Sequence, residues 1–272
     1  MHRPPSVMKR ILHLSDLHFK HTDPRKVAAL LAWTRQEKVD YVVVSGDLTQ
    51  RARPEEFDQA RRFLDSIPVP RLVVPGNHDI PLYDVFTRLT DPYRLYRERF
   101  NPEIEPLIED GSLAILGVST SRPHTIQSGA IPEAKRGEIE ARLAHVPRDR
   151  LRIWVAHHPV RTSPSRPASS KWIHLDAAEI DSLPVDLILS GHLHLGGVEL
   201  LGSRGVLSVL AGTAVSVRER GEVNSFNRIL WNGSELSIER FLWEEATTTF
   251  QLGGDRRFIR TPQTDGMGFR PI

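Results

Sequence analysis

The sequence of 272 residues predicts an α/β protein organised around parallel strands. Short runs of Val, Ile and Leu bounded by Gly, Pro or Ser are typical of strands that are buried on both faces. The first three runs are separated by segments in which apolar residues have helical spacing, and this alternation favours a sheet with right-handed crossovers. Five of the runs are followed directly by a polar stretch, at the strand ends where such sheets bind ligands.

The expected elements follow the chain in order. The first helix should begin with Asp23 as N-cap and Pro24 in the first turn, because Pro is favoured there. Buried strands are predicted at 11–14, 41–45, 72–75, 113–118, 152–156 and 185–190, and helices at 24–38, 54–67, 132–146 and 175–183. From Gly197 onward the pattern becomes all-β, and the polar tail from about residue 248 is expected to be flexible and loosely packed.

The chain is expected to form a single domain spanning 1–272. The segment from about 80 to 110 interrupts its alternation of strands and helices. It contains several Pro and an aromatic-rich piece that is interspersed with Arg. A helical insertion whose aromatic side chains form a local core is the first interpretation. A lid that shapes a substrate pocket is the alternative.

Composition excludes several classes of protein. The chain has no cysteine, so it has neither disulfides nor thiolate metal sites, and this composition fits a reducing cytoplasm. No apolar run approaches the roughly 20 residues of a membrane helix, and residues 1–10 lack the apolar core of a secretory signal. The formal charge of +2 is accompanied by no polybasic tract, so nucleic acid is not an expected partner.

The five polar stretches carry the chemistry. They are Asp16-Leu17-His18, Gly46-Asp47, Gly76-Asn77-His78-Asp79, His157-His158 and Gly191-His192-Leu193-His194. Six of the twelve histidines lie in them, which a chance distribution does not explain. Alternate residues of a strand point to opposite faces, so Asp-x-His converges on one site only where the chain turns. The set indicates a two-metal hydrolase, and its N and O ligands favour Mn, Fe or Zn.

In their order and spacing, these stretches resemble the motifs of the calcineurin-like metallophosphoesterase family. The resemblance spans residues 11–194 and implies a four-layer αββα sandwich with a dimetal site between two mixed sheets. It also implies a role for each residue. One metal is assigned to Asp16, His18 and His194, the other to Asn77, His157 and His192, and Asp47 bridges them. His78 then assists the leaving oxygen and is oriented by Asp79.

The expected reaction is in-line attack on phosphorus by a hydroxide that bridges the metals. His157 is chosen as ligand because it directly follows the apolar run, and His158 is expected to line the pocket. The segment after Ala211 is expected to bring Arg218, Arg220 or Asn224 near the substrate. A loop that only joins two strands is the alternative for this segment.

The substrate class is less constrained. The chain length and the residues of its motifs resemble those of the bacterial class III cyclic-nucleotide phosphodiesterases and related glycerophosphodiesterases. A small-molecule phosphodiester is therefore the expected substrate, with a 3′,5′-cyclic nucleotide as the best single guess. Alternatives are a repair-type nuclease, a phosphomonoesterase and a non-catalytic scaffold, although a scaffold would normally have lost a ligand. A homodimer is a further possibility.

Overall fold

Two mixed β-sheets face each other in the computed structural model, which describes residues 8–162, 171–218, 221–263 and 266–272. The strands are β1 Lys9–Leu14, β2 Tyr41–Ser45, β3 Arg71–Val74, β4 Leu107–Glu109, β5 Leu113–Gly117, β6 Leu151–Val155, β7 Val160–Thr162, β8 Ile173–Leu175, β9 Leu187–Ser190, β10 Gly197–Leu201, β11 Val206–Leu210, β12 Ser225–Trp231, β13 Glu235–Glu244, β14 Thr249–Gln263 and β15 Gly266–Pro271. The helices are α1 Pro24–Glu37, α2 Pro54–Asp65, α3 Val85–Thr90, α4 Arg94–Arg99, α5 Glu133–Leu143 and α6 Ala177–Ser182, with a 3₁₀ turn at Asn77–Asp79.

The first sheet has the strand order β15-β14-β13-β12-β1-β2-β3. Its strands β1, β2 and β3 are parallel, and β12 pairs with β1 in the antiparallel sense. The second sheet has the order β10-β11-β9-β6-β5-β4, with parallel central strands and an antiparallel strand at each edge. The predicted parallel strands are thus divided between two sheets, and each sheet is mixed.

Three apolar layers hold this arrangement together. Val43 of the first sheet and Ile153 of the second are fully buried in the core between the sheets. Leu30 of α1 lies in a second core on the outer side of the first sheet, and Ile139 of α5 in a third core on the outer side of the second. Burial of both faces of each sheet confirms the four-layer αββα sandwich.

Helix α1 begins as the sequence indicates. The Asp23 side chain accepts a hydrogen bond from the backbone N–H of Arg25 at 2.9 Å, and Pro24 occupies the first turn. Lys38 ends the helix in the left-handed conformation, with a φ of 50°. Helix α2 likewise begins at Pro54. Among the helices in the described part of the chain, none has the length and apolar character needed to span a membrane.

The aromatic side chains of the 80–110 segment divide between core and surface. Tyr96 of α4 is fully buried, and its hydroxyl donates to the carbonyl oxygen of Val73 at 2.6 Å. Tyr83 and Phe86 are instead 75% and 78% exposed. The segment therefore docks onto the first sheet through α4, while α3 presents apolar side chains to solvent.

The C-terminal segment is not the loosely packed tail that its polarity suggests. It forms β14 and β15, which extend the first sheet next to β13. Phe258 and Phe269 are buried between the sheets, and most other side chains of β14 face solvent. The register shifts opposite Gly253, which breaks the alternation of apolar and polar residues that would have revealed a strand.

Candidate metal centre

The five polar stretches meet at one end of the sandwich. Asp16, Asp47 and Asn77 follow the carboxyl ends of β1, β2 and β3 in the first sheet, whereas His157 and His192 follow β6 and β9 in the second. The two sheets face each other, so their strand ends bring residues that are distant in sequence to one place.

An unusual backbone lets both members of each Asp-x-His or His-x-His pair reach this place. Asp16, His18, Asp47, His192 and His194 have φ angles of 51°, 47°, 53°, 71° and 60°. Positive φ is uncommon for residues other than Gly and is concentrated at functional sites. Left-handed turns directly after the strands therefore overcome the alternation that would send paired side chains to opposite faces.

Glycines next to these turns leave room for the ligands. A Cβ on Gly76 would overlap the carboxylate of Asp47, and one on Gly191 would overlap Ser15 and Asp16. Only Gly allows so close an approach of the backbone to neighbouring groups. Steric crowding by the ligand side chains therefore explains why Gly76 and Gly191 are glycines.

Cluster 1 comprises Asp16, His18 and His194, all of which are buried. The Nε2 atoms of His18 and His194 are 3.1 Å apart, and Asp16 Oδ1 lies 3.2 Å from His194 Nε2 and 3.7 Å from His18 Nε2. Ligands bound at about 2.1 Å to one ion are separated by roughly 3.0–3.4 Å, so these distances suit a shared cation.

Cluster 2 comprises Asp47, Asn77, His157 and His192. His157 Nε2 lies 3.1 Å from His192 Nδ1, 3.0 Å from Asn77 Oδ1 and 3.4 Å from Asp47 Oδ1. The other carboxylate oxygen of Asp47, Oδ2, lies 3.8 Å from His18 Nε2 of cluster 1. Asp47 thus directs one oxygen to each cluster, which is the geometry of a bridging ligand.

Backbone carbonyl groups fix the orientation of three imidazoles. Nδ1 of His18 donates to Thr49 O, Nδ1 of His157 to Ser45 O and Nδ1 of His194 to Arg218 O, at 3.3, 2.9 and 2.9 Å. A proton on Nδ1 leaves the Nε2 lone pair for a metal, and such outer contacts are typical of metal-binding histidines. His192 differs, because its Nδ1 is the atom that faces cluster 2.

The protonation states of most of these groups suit metal binding. Burial lowers the pKa values of His18 and His192 to about 3, so both are neutral. The neighbouring histidines outweigh the cost of burial for Asp16 and Asp47 and keep both carboxyl pKa values below their usual range. Asp16 Oδ1 is buried and has no well-aligned hydrogen-bond partner among the described residues. A cation would satisfy this oxygen, and the two clusters therefore fit two divalent ions.

The structure corrects the expected link between His78 and Asp79. The Asp79 carboxylate accepts hydrogen bonds from the N–H groups of Leu48, Thr49 and Gly76 and from the Thr49 hydroxyl, at 2.9–3.1 Å. The His78 imidazole is held instead by Gln50, whose carbonyl oxygen accepts from Nδ1 at 2.9 Å. Asp79 therefore joins the turns that carry Asp47 and Asn77, and it does not orient the ring.

A cavity of about 160 Å³ adjoins the clusters and is lined by Asn77, His78 and Arg218. Sequence reasoning missed further residues that line it, namely Gln50, Arg51, Ile80, Leu82, Arg88, Ile126 and Gln127. Arg51 lies four residues after Asp47, and this short distance from a metal-ligand motif is the one sequence signal that could have indicated a place for Arg51 in the cavity. Residues 126 and 127 belong to a loop after β5 in which no pattern singles them out.

Two residues expected near the substrate, Asn224 and His158, do not line this cavity. Asn224 is fully buried, and its side chain donates to the carbonyl oxygens of Thr213 and Ser216 at 3.2 and 2.7 Å. His158 is also fully buried, with Nδ1 paired to the Thr120 hydroxyl at 2.9 Å. Both side chains thus form hydrogen bonds within neighbouring loops. Arg220 lies outside the described residues.

Comparisons with known proteins agree with this geometry. A family model described as calcineurin-like phosphoesterase matches residues 9–196. The chain is 37% identical over 81 residues to the glycerophosphodiester phosphodiesterase GpdQ of Enterobacter lignolyticus, covering 25% of this chain and 29% of that protein. It is 26% identical over 182 residues to a probable cyclic nucleotide phosphodiesterase of Psychrobacter arcticus, covering 60% of each chain.

The fold is similar to that of a solved plant enzyme. Purple acid phosphatase PPD1 from yellow lupin (Lupinus luteus) superposes with a TM-score of 0.70 at 15% identity, over 93% of this chain and 54% of that chain. Each of these three matches thus spans less than two thirds of the relative's length.

Proposed function

The chain belongs to the calcineurin-like phosphoesterase family, and from this membership we propose that it is a metal-dependent hydrolase of small-molecule phosphodiesters. The observation that carries the proposal is the pair of buried clusters joined by the two oxygens of Asp47. Cluster 1 would hold one divalent ion and cluster 2 the other. Bound there, the pair would activate water and neutralise charge on the phosphoryl oxygens.

His78 is the proposed catalytic acid. The hydrogen bond from its Nδ1 to Gln50 O fixes the ring, so Nε2 remains for the substrate in the cavity that His78 lines. In the imidazolium form, Nε2 donates its proton to the oxygen of the departing alcohol. The backbone N–H of His78 donates to Asp47 Oδ1 at 2.9 Å, and this contact holds the acid next to the shared carboxylate.

Arg218 is the proposed contact for the phosphodiester anion. Its guanidinium donates from Nη1 to the Gln50 side chain at 2.9 Å and lines the same cavity as His78. A planar guanidinium matches the geometry of phosphoryl oxygens and stays charged at every working pH. Its backbone carbonyl also accepts from His194, so one residue joins substrate recognition to cluster 1.

Cyclic nucleotides are the preferred substrate class. One relative is named for cyclic nucleotides and another for glycerophosphodiesters, so the names alone do not distinguish these two substrate classes. Ile80, Leu82 and Ile126 line the cavity beside His78. These aliphatic side chains can pack against the flat, apolar face of a nucleobase, which glycerol lacks.

The test is an assay of metal-stripped protein reloaded with Mn²⁺. We expect turnover of bis-p-nitrophenyl phosphate well above that of p-nitrophenyl phosphate, and turnover of cyclic AMP above that of a glycerophosphodiester. A preference for the monoester would overturn the phosphodiesterase proposal in favour of a phosphomonoesterase. Cleavage of DNA in preference to all small substrates would favour a nuclease.

Three further properties remain predictions. The choice among Mn, Fe and Zn rests only on the donor set of Asp, Asn and His. A cytoplasmic location rests on the absence of cysteine. A homodimer remains the expected alternative to a monomer.

A further inference from the structure

Arg88 of α3 has an unusual environment. Its side chain is buried, and three of its nitrogens donate to backbone carbonyl groups: Nε to Pro123 O at 2.6 Å, Nη1 to Pro81 O at 3.1 Å and Nη2 to Thr125 O at 2.6 Å. Within the described residues, no carboxylate forms an ion pair with it. Burial lowers the pKa of Arg88 from its ordinary value, and the three carbonyl groups compensate for the loss of water.

The three carbonyl groups belong to two separate segments. Pro81 lies in the loop that leads into α3, whereas Pro123 and Thr125 lie in the loop after β5. This second loop, residues 121–129, is closed by a bridge between Ser121 and Gly129. Arg88 therefore connects two loops that are separated by about forty residues of chain.

Both loops form the wall of the cavity next to His78. Ile80 and Leu82 come from the first loop, and Ile126 and Gln127 from the second. Ile126 is 60% exposed, so its side chain is held by the conformation of its loop and not by burial in the core. The position of this wall relative to His78 thus depends on what ties the loops together.

We propose that Arg88 is a positioning residue that holds these two loops as one wall, and that the aliphatic side chains of this wall, Ile80, Leu82 and Ile126, select phosphodiesters with a flat apolar ester group. The substrate part of this inference rests on the phosphodiesterase function proposed above. Lysine cannot replace the arginine fully, because a single ammonium group does not match the planar fork that reaches three carbonyl groups.

The kinetic test compares two diesters with the same leaving group, bis-p-nitrophenyl phosphate and methyl p-nitrophenyl phosphate. In Arg88→Met, we expect KM for the bis-aryl substrate to rise about tenfold with kcat within about twofold, since the wall is displaced and the metals are not. The methyl substrate should change little. Arg88→Lys should restore part of the loss. Ile126→Ser, at an exposed site outside the core, should also reduce the preference for the aryl diester.

A second measurement does not depend on activity. Hydrogen exchange should accelerate in residues 80–84 and 121–129 of Arg88→Met, while exchange in the central strands and the bound-metal content stay unchanged. The matched control is Arg94→Met, because Arg94 is exposed and, among the described residues, forms its ion pair with Glu98 on α4. Unchanged exchange together with an unchanged ratio of KM values would overturn the inference. Absence of diesterase activity in the wild type would overturn the proposed function, and the exchange data would still decide the role of Arg88.

Discussion

Nε2 of His157 and Nδ1 of His192 face each other at 3.1 Å in a fully buried site. Two bare lone pairs at this distance would repel, so a proton or a cation has to lie between them. Burial opposes protonation of His157, but the carboxylates of Asp47 and Asp16 outweigh it and raise the pKa of His157 to about 9. Burial and the charge of His157 lower the pKa of His192 to about 3. These shifts favour a proton on His157, and not on His192, when cluster 2 binds no cation.

Metal binding to cluster 2 should release this proton. Below about pH 9 each ion bound there displaces about one proton, so its affinity rises with pH up to about 9 and then levels off. His18 of cluster 1 has a pKa of about 3 and is already neutral, so it releases none. Titration calorimetry with Mn²⁺ in buffers of different ionisation enthalpy measures the released protons. Proton release that is absent at neutral pH would contradict the assigned state of His157.

Replacement of the bridging carboxylate should affect both ions. In Asp47→Asn, we expect fewer than two metals per chain and an affinity at least about 100-fold weaker, because each cluster loses a shared negative charge. Elemental analysis after dialysis measures the stoichiometry. Asp58→Asn is the control, since Asp58 is half-buried on α2 and pairs with Arg99 on α4. Two tightly bound metals in Asp47→Asn would show that the carboxylate does not bridge.

Removal of the proposed acid should separate chemistry from metal binding. We expect His78→Ala to lose about 10²–10⁴-fold in kcat, the usual contribution of a positioned acid, and to keep the metal content of the wild type. His145→Ala is the control, because His145 is exposed and pairs with Glu109. Wild-type turnover in His78→Ala would reject the assigned role.

Asn224 and Arg218, two of the residues expected near the substrate, should behave differently. Asn224→Ala should lower the free energy of unfolding by about 1–3 kcal/mol, because two buried carbonyl groups lose their donor, and should leave KM unchanged. Arg218→Met should raise KM and leave the denaturation midpoint unchanged. Urea unfolding and steady-state kinetics on the same preparations give both quantities. A raised KM in a fully folded Asn224→Ala protein would restore the contact expected from the sequence.

The last strands should contribute to stability as a part of the core. Phe258→Ala should lower the free energy of unfolding by about 3–5 kcal/mol, because its side chain is buried between the sheets. Leu252→Ala, on the same strand but 55% exposed, should cost less than about 0.5 kcal/mol. Similar urea midpoints for both variants would mean that β14 is loosely attached, as its polarity suggests.

Sequence patterns were reliable for the strands that end at the site. β1, β2, β3, β6 and β9 all lie close to their predicted positions, because strands buried on both faces have short continuous apolar runs bounded by turn residues. The strands β14 and β15 were missed, because a half-exposed strand with a bulge lacks both the run and a regular alternation. The aromatic segment was ambiguous for a related reason, since composition does not tell a buried Tyr96 from an exposed Phe86.

By itself, the sequence determined which side chains stand at the strand ends and in which order, since a buried strand and the turn after it are local features. Tertiary structure alone decided how those side chains are used. The left-handed turns at Asp16 and His18, the acceptor for His78 and the burial of Asn224 depend on groups from distant elements. The same holds for the pocket wall at Arg88, because hydrogen-bond partners and dehydration are fixed only when the two sheets pack.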